Sequence, residues 1–197
     1  MSEARIQAAQ LASLLYPLDE VYDDLRMPLP RVGPIDGADM PEPYRGLLVH
    51  DNDMTSTLEA AYGQRIHLHV IKCRVRDDVL TRHVVLVLED DRTAVELGAI
   101  KIYLEHFPDR ARPPILEGHQ PLGTIMRTLN IDHQSHPAAY FRITADSLMT
   151  KELFVEGRAP LYGRRNVMAN PAGATLAEIA EILPEARGVA RSENGRG

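Results

Sequence analysis

Residues 65–104 read RIHLHVIKCRVRDDVLTRHVVLVLEDDRTAVELGAIKIYL. Three strand-like runs, Arg65–Arg76, Val79–Glu89 and Ala94–Leu104, are separated by Asp77-Asp78 and by a short connection that holds Asp90-Asp91-Arg92. Connections this short join antiparallel neighbours, because a parallel pair needs a crossover of a dozen or more residues. The stretch therefore predicts a three-stranded antiparallel meander. Side chains alternate along a strand, so Gly98, Ile100, Ile102 and Leu104 share one face and Ala99, Lys101 and Tyr103 the other. Lys101 is a candidate inward cation for an anionic ligand; the plainer reading is a lysine on the wet side of the sheet.

Upstream, Leu11, Leu14, Leu15, Leu18, Val21, Tyr22 and Leu25 recur at three- and four-residue steps and predict an amphipathic helix. Pro17 should divide it into two short helices. Residues 28–43 are rich in proline and glycine and read as a connector. A short helix is expected over Asp53–Tyr62, with Asp53 at the N-cap and Gly63 just past the end. Downstream, Pro121 opens a helix whose Leu122, Ile125, Met126 and Leu129 fall on one face. Ala138–Thr144, Arg164–Ala169 and Thr175–Leu183 read as strands, and Asp146–Val155 as a short helix. The fold class is α+β, an antiparallel sheet flanked by helices with an extra N-terminal helical segment. The expected divisions are an N-terminal extension and connector over 1–43, a body over 44–184 and a frayed tail over 185–197.

Composition narrows the function classes. The 197 residues are 44% hydrophobic and 25% charged, which suits a globular domain with a real core. A net charge of −6 argues against a broad positive field for nucleic acid. The single cysteine, Cys73, leaves no internal disulfide and no multi-cysteine zinc site. No apolar run approaches the ~20 residues that span a bilayer. Met1–Gln10 lacks the basic start and apolar core of a secretory signal, so a cytoplasmic protein is expected.

Four clusters have residue types suited to chemistry. His50-Asp51-Asn52-Asp53 sets two carboxylates and an imidazole beside a helix start, as a polar-ligand site or simply as helix capping. His67 and His69 share a strand face, and His133 and His136 sit in a polar turn; both pairs read as exposed histidines, and no metal is expected. Gly118-His119-Gln120-Pro121-Leu122-Gly123 enters a helix, where unbonded backbone N–H groups favour an anion. Arg164 and Arg165 suit carboxylate recognition, but neighbours in a strand face opposite ways, so at most one lines a pocket. Glu178 and Glu181 likewise lie on opposite faces, each among apolar residues. Whichever points inward buries a carboxylate and becomes a candidate proton donor; alternation alone leaves the choice open.

In order along the chain, four motifs resemble the chorismate pyruvate-lyase family, whose fold is shared with the UTRA effector-binding domains of transcription regulators. They are Leu47–Thr55 (similar to the family's apolar stretch ending in Asp-x-Met-Thr), Glu96–Ile102, Pro121-Leu122-Gly123, and Tyr162-Gly163-Arg164-Arg165 followed by Gly173 and Ala180-Glu181-Ile182-Leu183-Pro184. Together they span roughly residues 44–184. The resemblance implies a chorismate lyase/UTRA-like fold and elimination of pyruvate from chorismate, or a related enolpyruvyl acid, to give 4-hydroxybenzoate without a cofactor. It places Met54 and Leu122 against the ligand and the essential glutamate at Glu181 if one extra residue is allowed in the last strand; unshifted it falls on Ala180, with Glu178 the other candidate. The family's arginine after Ala-Gly is Ala99 here. Lys101 lies two residues on but cannot reproduce a bidentate guanidinium contact.

A lyase of this kind must hold a dianion in a reactive conformer and assist proton movement. The available set is Lys101, one of Arg164 and Arg165, Arg142, and the Leu122-Gly123 amides, with Glu181 or Glu178 for the proton. The competing expectation is a binding or sensor protein that holds a small aromatic carboxylate in the same pocket without turnover. With about 40 residues before the body, a DNA-reading segment is not expected.

Overall fold

The computed structural model describes residues 10, 12–156 and 160–185. A single seven-stranded antiparallel sheet organises them, in the order β1-β5-β6-β7-β4-β3-β2. The strands are β1 (Val32–Pro34), β2 (Ile66–Arg76), β3 (Val79–Leu88), β4 (Ala94–Tyr103), β5 (Gln134–Thr144), β6 (Pro160–Ala169) and β7 (Thr175–Leu183). Two meanders, β2-β3-β4 and β5-β6-β7, are joined edge to edge where β4 pairs with β7 over Leu97↔Ile182 to Ile102↔Ala177. The expected α+β class and antiparallel sheet are present.

Among the described residues, the α-helices that flank the sheet and lie wholly within them are α1 (Leu18–Leu25), α2 (Tyr44–Leu48), α3 (Met54–Tyr62), α4 (Arg112–Glu117), α5 (Leu122–Thr128) and α6 (Ser147–Leu153). The break expected at Pro17 is there: residues 12–15 are helical, Tyr16 and Pro17 turn, and α1 follows. Gly63 takes a left-handed φ of 65° at the end of α3, the conformation that favours glycine at this position. Leu11 and the tail from residue 186 lie outside the described residues.

The connector contributes to the sheet. Val32, Gly33 and Pro34 pair with Ile143, Arg142 and Phe141, so β1 forms the outer edge beside β5. A three-residue strand containing glycine and proline carries no alternation to read, and an edge is where a sheet tolerates proline. Two short helices also escaped the sequence reading, α2 and α4. Pro113 and Pro114 occupy the first turn of α4, where a missing N–H costs nothing.

The two sheet faces carry different cores. On one, Leu15, Leu18, Val21 and Tyr22 pack with Leu97, Ala99, Phe141, Ala180, Ile182 and Met149 of α6. The other face carries two separate clusters. Leu47, Leu48, Met54 and Leu58 close over Leu86 and Leu183 at one end, and Ile115, Leu122, Ile125 and Met126 close over Ile100, Met168 and Ile179 at the other. Polar side chains of the sheet fill the gap between those two clusters.

Phe141 and the β6–β7 ladder leave no space for a side chain at Gly163. A Cβ there would sit 2.6 Å from the Phe141 ring and would also meet the Glu181 carbonyl oxygen. Neither a fully buried ring nor a ladder carbonyl can step aside. Gly163→Ala is therefore expected to lower stability by about 2 kcal/mol or more, read as a drop in the urea midpoint with an unchanged slope.

Candidate functional site

β3, β4, β6 and β7 present their cavity-side residues in register. Arg82 lies opposite Ile100, Gly98 opposite Glu181, and Glu181 opposite Arg164. Between the two clusters on this face is a hollow with about 590 Å³ of empty space, part of it continuous with solvent. Its floor is Arg82, Val84, Glu96, Gly98, Ile100 and Glu181, and its rim is Met54 and Thr55 of α3 with Pro121, Leu122 and Gly123 at the start of α5. Gly123 permits the close approach of these two helix starts: a Cβ there would stand 3.3 Å from Cβ of Asp53.

Arg164 is fully buried beneath this hollow. Its Nε donates to Glu181, its Nη1 to the carbonyls of Leu48 (3.2 Å) and His50 (2.9 Å), and its Nη2 to the carbonyl of Asn52 (3.2 Å). The His50-Asp51-Asn52 turn thus wraps the guanidinium with backbone oxygens. His50 fits as a neutral ring, its Nε2 donating to the Leu47 carbonyl (2.7 Å) and its Nδ1 accepting from the Asn52 N–H (3.1 Å). Burial, with the Arg164 charge next, holds its pKa below the usual histidine value.

Arg82 and Glu96 differ from that saturated pair. Arg82 is 2% exposed, and its Nε and Nη1 have no acceptor among the described residues. Burial lowers its pKa from the ordinary arginine value. Glu96 is 4% exposed, with Oε2 lacking a partner among the described residues. Burial, reinforced by the charge of Glu181 and opposed by Arg164, pushes its carboxyl well above the usual range and so favours the neutral acid. A bulge helps aim it: Leu86 pairs with Glu96 but Val87 with Ala94, leaving Val95 as the extra residue. An unpaired buried cation and an uncommitted buried acid in one hollow have an unmet need for a ligand.

The structure separates the sequence candidates. Glu181, Met54, Leu122 and Gly123 line the hollow, and Arg164 underlies it. Lys101, Glu178 and Arg165 lie on the opposite face. There Lys101 pairs with Glu20 of α1 (2.6 Å), while Glu178 accepts from the Tyr103 hydroxyl (2.6 Å) and Arg165 (3.1 Å). They fasten the N-terminal segment to the back of the sheet, with Lys101 and Arg165 also set over the Tyr16 ring. Lys101 and Glu181 therefore do not share a cavity. Arg142 is exposed on β5 and lines none of the hollow. Ala99 is also on the far side, fully buried; the cation of this site comes from Arg82 on the neighbouring strand. The sequence reading passed over Arg82 and Glu96. The signal was available: each is a charged residue in an apolar alternation, Arg82 with Leu80, Val84 and Leu86, and Glu96 with Gly98, Ile100 and Ile102.

Asp53 stands at the N-cap of α3, yet its carboxylate makes no capping bond. It accepts instead from His133 Nε2 at 2.8 Å, while His133 Nδ1 meets the Ile131 carbonyl at 3.0 Å. With an acceptor at each ring nitrogen, the imidazolium is favoured.

A wider groove runs past Tyr44, Tyr62 and Phe154. None of the buried unpartnered groups among the described residues lines it.

With the geometry in hand, comparison with known proteins shows the fold. The effector domain of PhnF from Mycobacterium smegmatis superposes with a TM-score of 0.52 and 14% identity, over 69% of this chain and 90% of that one. The longer PhnF structure gives 0.51 and 14%, over 69% of this chain and 65% of that one. This chain thus matches somewhat less than two thirds of the longer PhnF chain. The α+β antiparallel sheet of this chain is similar in fold to that of the PhnF effector domain. No family model matches the chain, and no curated protein does. No helix among the described residues is long and apolar enough to cross a membrane.

The Asp53 bond raises the pKa of His133 above its ordinary 6.5. Its contribution to stability is whole below pH 6.5 and is lost as pH rises through the higher folded value. His133→Gln is expected to cost about 1 kcal/mol at pH 6, ~2–4 °C in Tm. The cost should shrink at pH 9. An equal cost at both values in urea unfolding would refute a charged pair.

Proposed function

We propose that the chain is a small-molecule-binding domain that holds a compact organic anion, with an apolar or aromatic body, in the hollow above Arg82, without chemical turnover. The carrying observation is Arg82 itself: a guanidinium buried in the cavity floor with Nε and Nη1 unbonded. A carboxylate would supply the missing acceptors in the fork geometry that arginine favours. Val84, Leu86, Ile100, Met168 and Ile179 offer apolar walls for a ring-sized body. The effector-domain likeness is consistent with ligand binding and carries the fold alone.

Charge balance favours holding over turnover of chorismate. That substrate brings two carboxylates, whereas Arg82 is the one cation among the described lining residues. Arg164 is committed to Glu181 and to backbone carbonyls, and Lys101 is on the far face. Neither Glu96 nor Glu181 offers the counter-ion that a second substrate carboxylate would need.

Calorimetry with benzoate and its neutral isostere benzamide tests this reading. Benzoate should bind at least ~10-fold more tightly than benzamide. Arg82→Gln should weaken benzoate about 30-fold, the equivalent of the ~2 kcal/mol of a charge-assisted hydrogen bond. Chorismate incubated with the protein should release pyruvate only at the uncatalysed rate. Equal binding of benzamide, or indifference to Arg82→Gln, would refute the anion site; faster pyruvate release would restore the lyase reading.

A further inference from the structure

Glu96 is left unexplained by an anion site. A simple anion holder gains nothing from a second carboxyl group buried beside Glu181, since like charges in one low-dielectric space repel. Arg164 offsets one carboxylate and is then saturated by backbone oxygens. The remaining acid is Glu96, whose Oε1 would stand 3.0 Å from a Cβ at Gly98. The absence of a side chain at Gly98 therefore makes room for this carboxyl along the cavity floor.

Arg82 and Glu96 are separated in an informative way. They lie on one face of adjacent strands, Arg82 opposite Ile100 and Glu96 opposite Leu86. Four residues of strand at ~3.3 Å each set their backbones about 13 Å apart. Both side chains line the hollow, together with Val84, Gly98 and Ile100. The hollow thus has an unsatisfied cation at one end, apolar floor in the middle and an unsatisfied acid at the other end.

Building on the proposed role of Arg82, we propose that the ligand is amphoteric, an organic acid whose far end carries a protonated amine that exchanges with the proton of Glu96. The exchange balances: neutral Glu96 and an R–NH3+ ligand give the Glu96 carboxylate paired with R–NH3+, and one proton leaves to solvent. Each buried group then meets an opposite charge, and the two-carboxylate, one-arginine end of the hollow becomes neutral. The rise in the Glu96 pKa agrees with a proton held there until the amine arrives. A hydroxyl at the same place would take a hydrogen bond from neutral Glu96 and displace no proton.

Isothermal titration calorimetry of the full chain at pH 7.5 tests the assignment with three matched probes: 4-methylbenzoate, 4-(hydroxymethyl)benzoate and 4-(aminomethyl)benzoate. The aminomethyl compound should bind at least ~10-fold more tightly than the methyl compound. Titration in buffers of different ionisation enthalpy should show release of close to one proton for the aminomethyl compound and none for the others. Glu96→Gln should erase both the preference and the proton release. Equal or tighter binding of the methyl compound, a preference for the hydroxymethyl compound, amine binding without proton release, or a preference that survives Glu96→Gln would each overturn it. Methylbenzoate bound through Arg82 with no gain from the amine would remove this inference alone. Failure of all three to bind would remove the anion-site reading too.

Discussion

The Arg164 guanidinium holds the site together. It lies under the sheet's helical cover, bonded to Glu181 on the neighbouring strand and to three carbonyls of the 48–52 turn. A buried ion pair is not a strong source of net stability, because two desolvation penalties offset its attraction. Its use here is directional. A planar donor fork that accounts for a carboxylate and three carbonyls fixes the turn, the turn fixes the start of α3, and Met54 and Thr55 are thereby set over the hollow. Asp53 completes the arrangement by packing against Gly123 and binding His133, so both rim helices are fastened to the same few residues.

Charged residues divide between the two faces by what covers them. On the back, Glu20 of α1 pairs with Lys101, while Glu178 of β7 takes Arg165 and the Tyr103 hydroxyl. On the front, the covering helices supply apolar residues, and Arg82 and Glu96 remain uncommitted. The same residue types are structural where a partner is packed against them and available for ligand where none is.

That division explains what could be read from the chain. Alternation and short acidic turns located β2, β3 and β4 within a residue or two, and recurring leucines with Pro17 located the broken N-terminal helix. Alternation also established that Glu178 and Glu181 face opposite ways, as do Arg164 and Arg165. Which face is the cavity depends on where α1 docks, and nothing local to the strands encodes that. The place of Lys101, a candidate inward cation whose plainer reading was the wet side of the sheet, stayed open for the same reason: its partner, Glu20, is 81 residues away in sequence. Arg82 and Glu96 were legible as charges in apolar patterns. The bulge at Val95, which helps set the direction of Glu96, leaves no mark in composition or period. β1 was hidden by its brevity, and α4 by prolines that suit a first helical turn.

The sheet is two meanders meeting along one seam, and that seam joins residues about eighty positions apart, such as Ile100 and Ile179. The first meander closes through two short turns and the second through one short turn and the connection that carries α6, whereas the seam must overcome the entropy of a much longer loop. Arg82 and Glu96 belong to the first half; Glu181 and Arg164 belong to the second. The hollow has no existence in either half alone. An occupant touching both sides would act as a rivet across the join, drawing its stabilisation from the assembled sheet and adding nothing to the separated pieces.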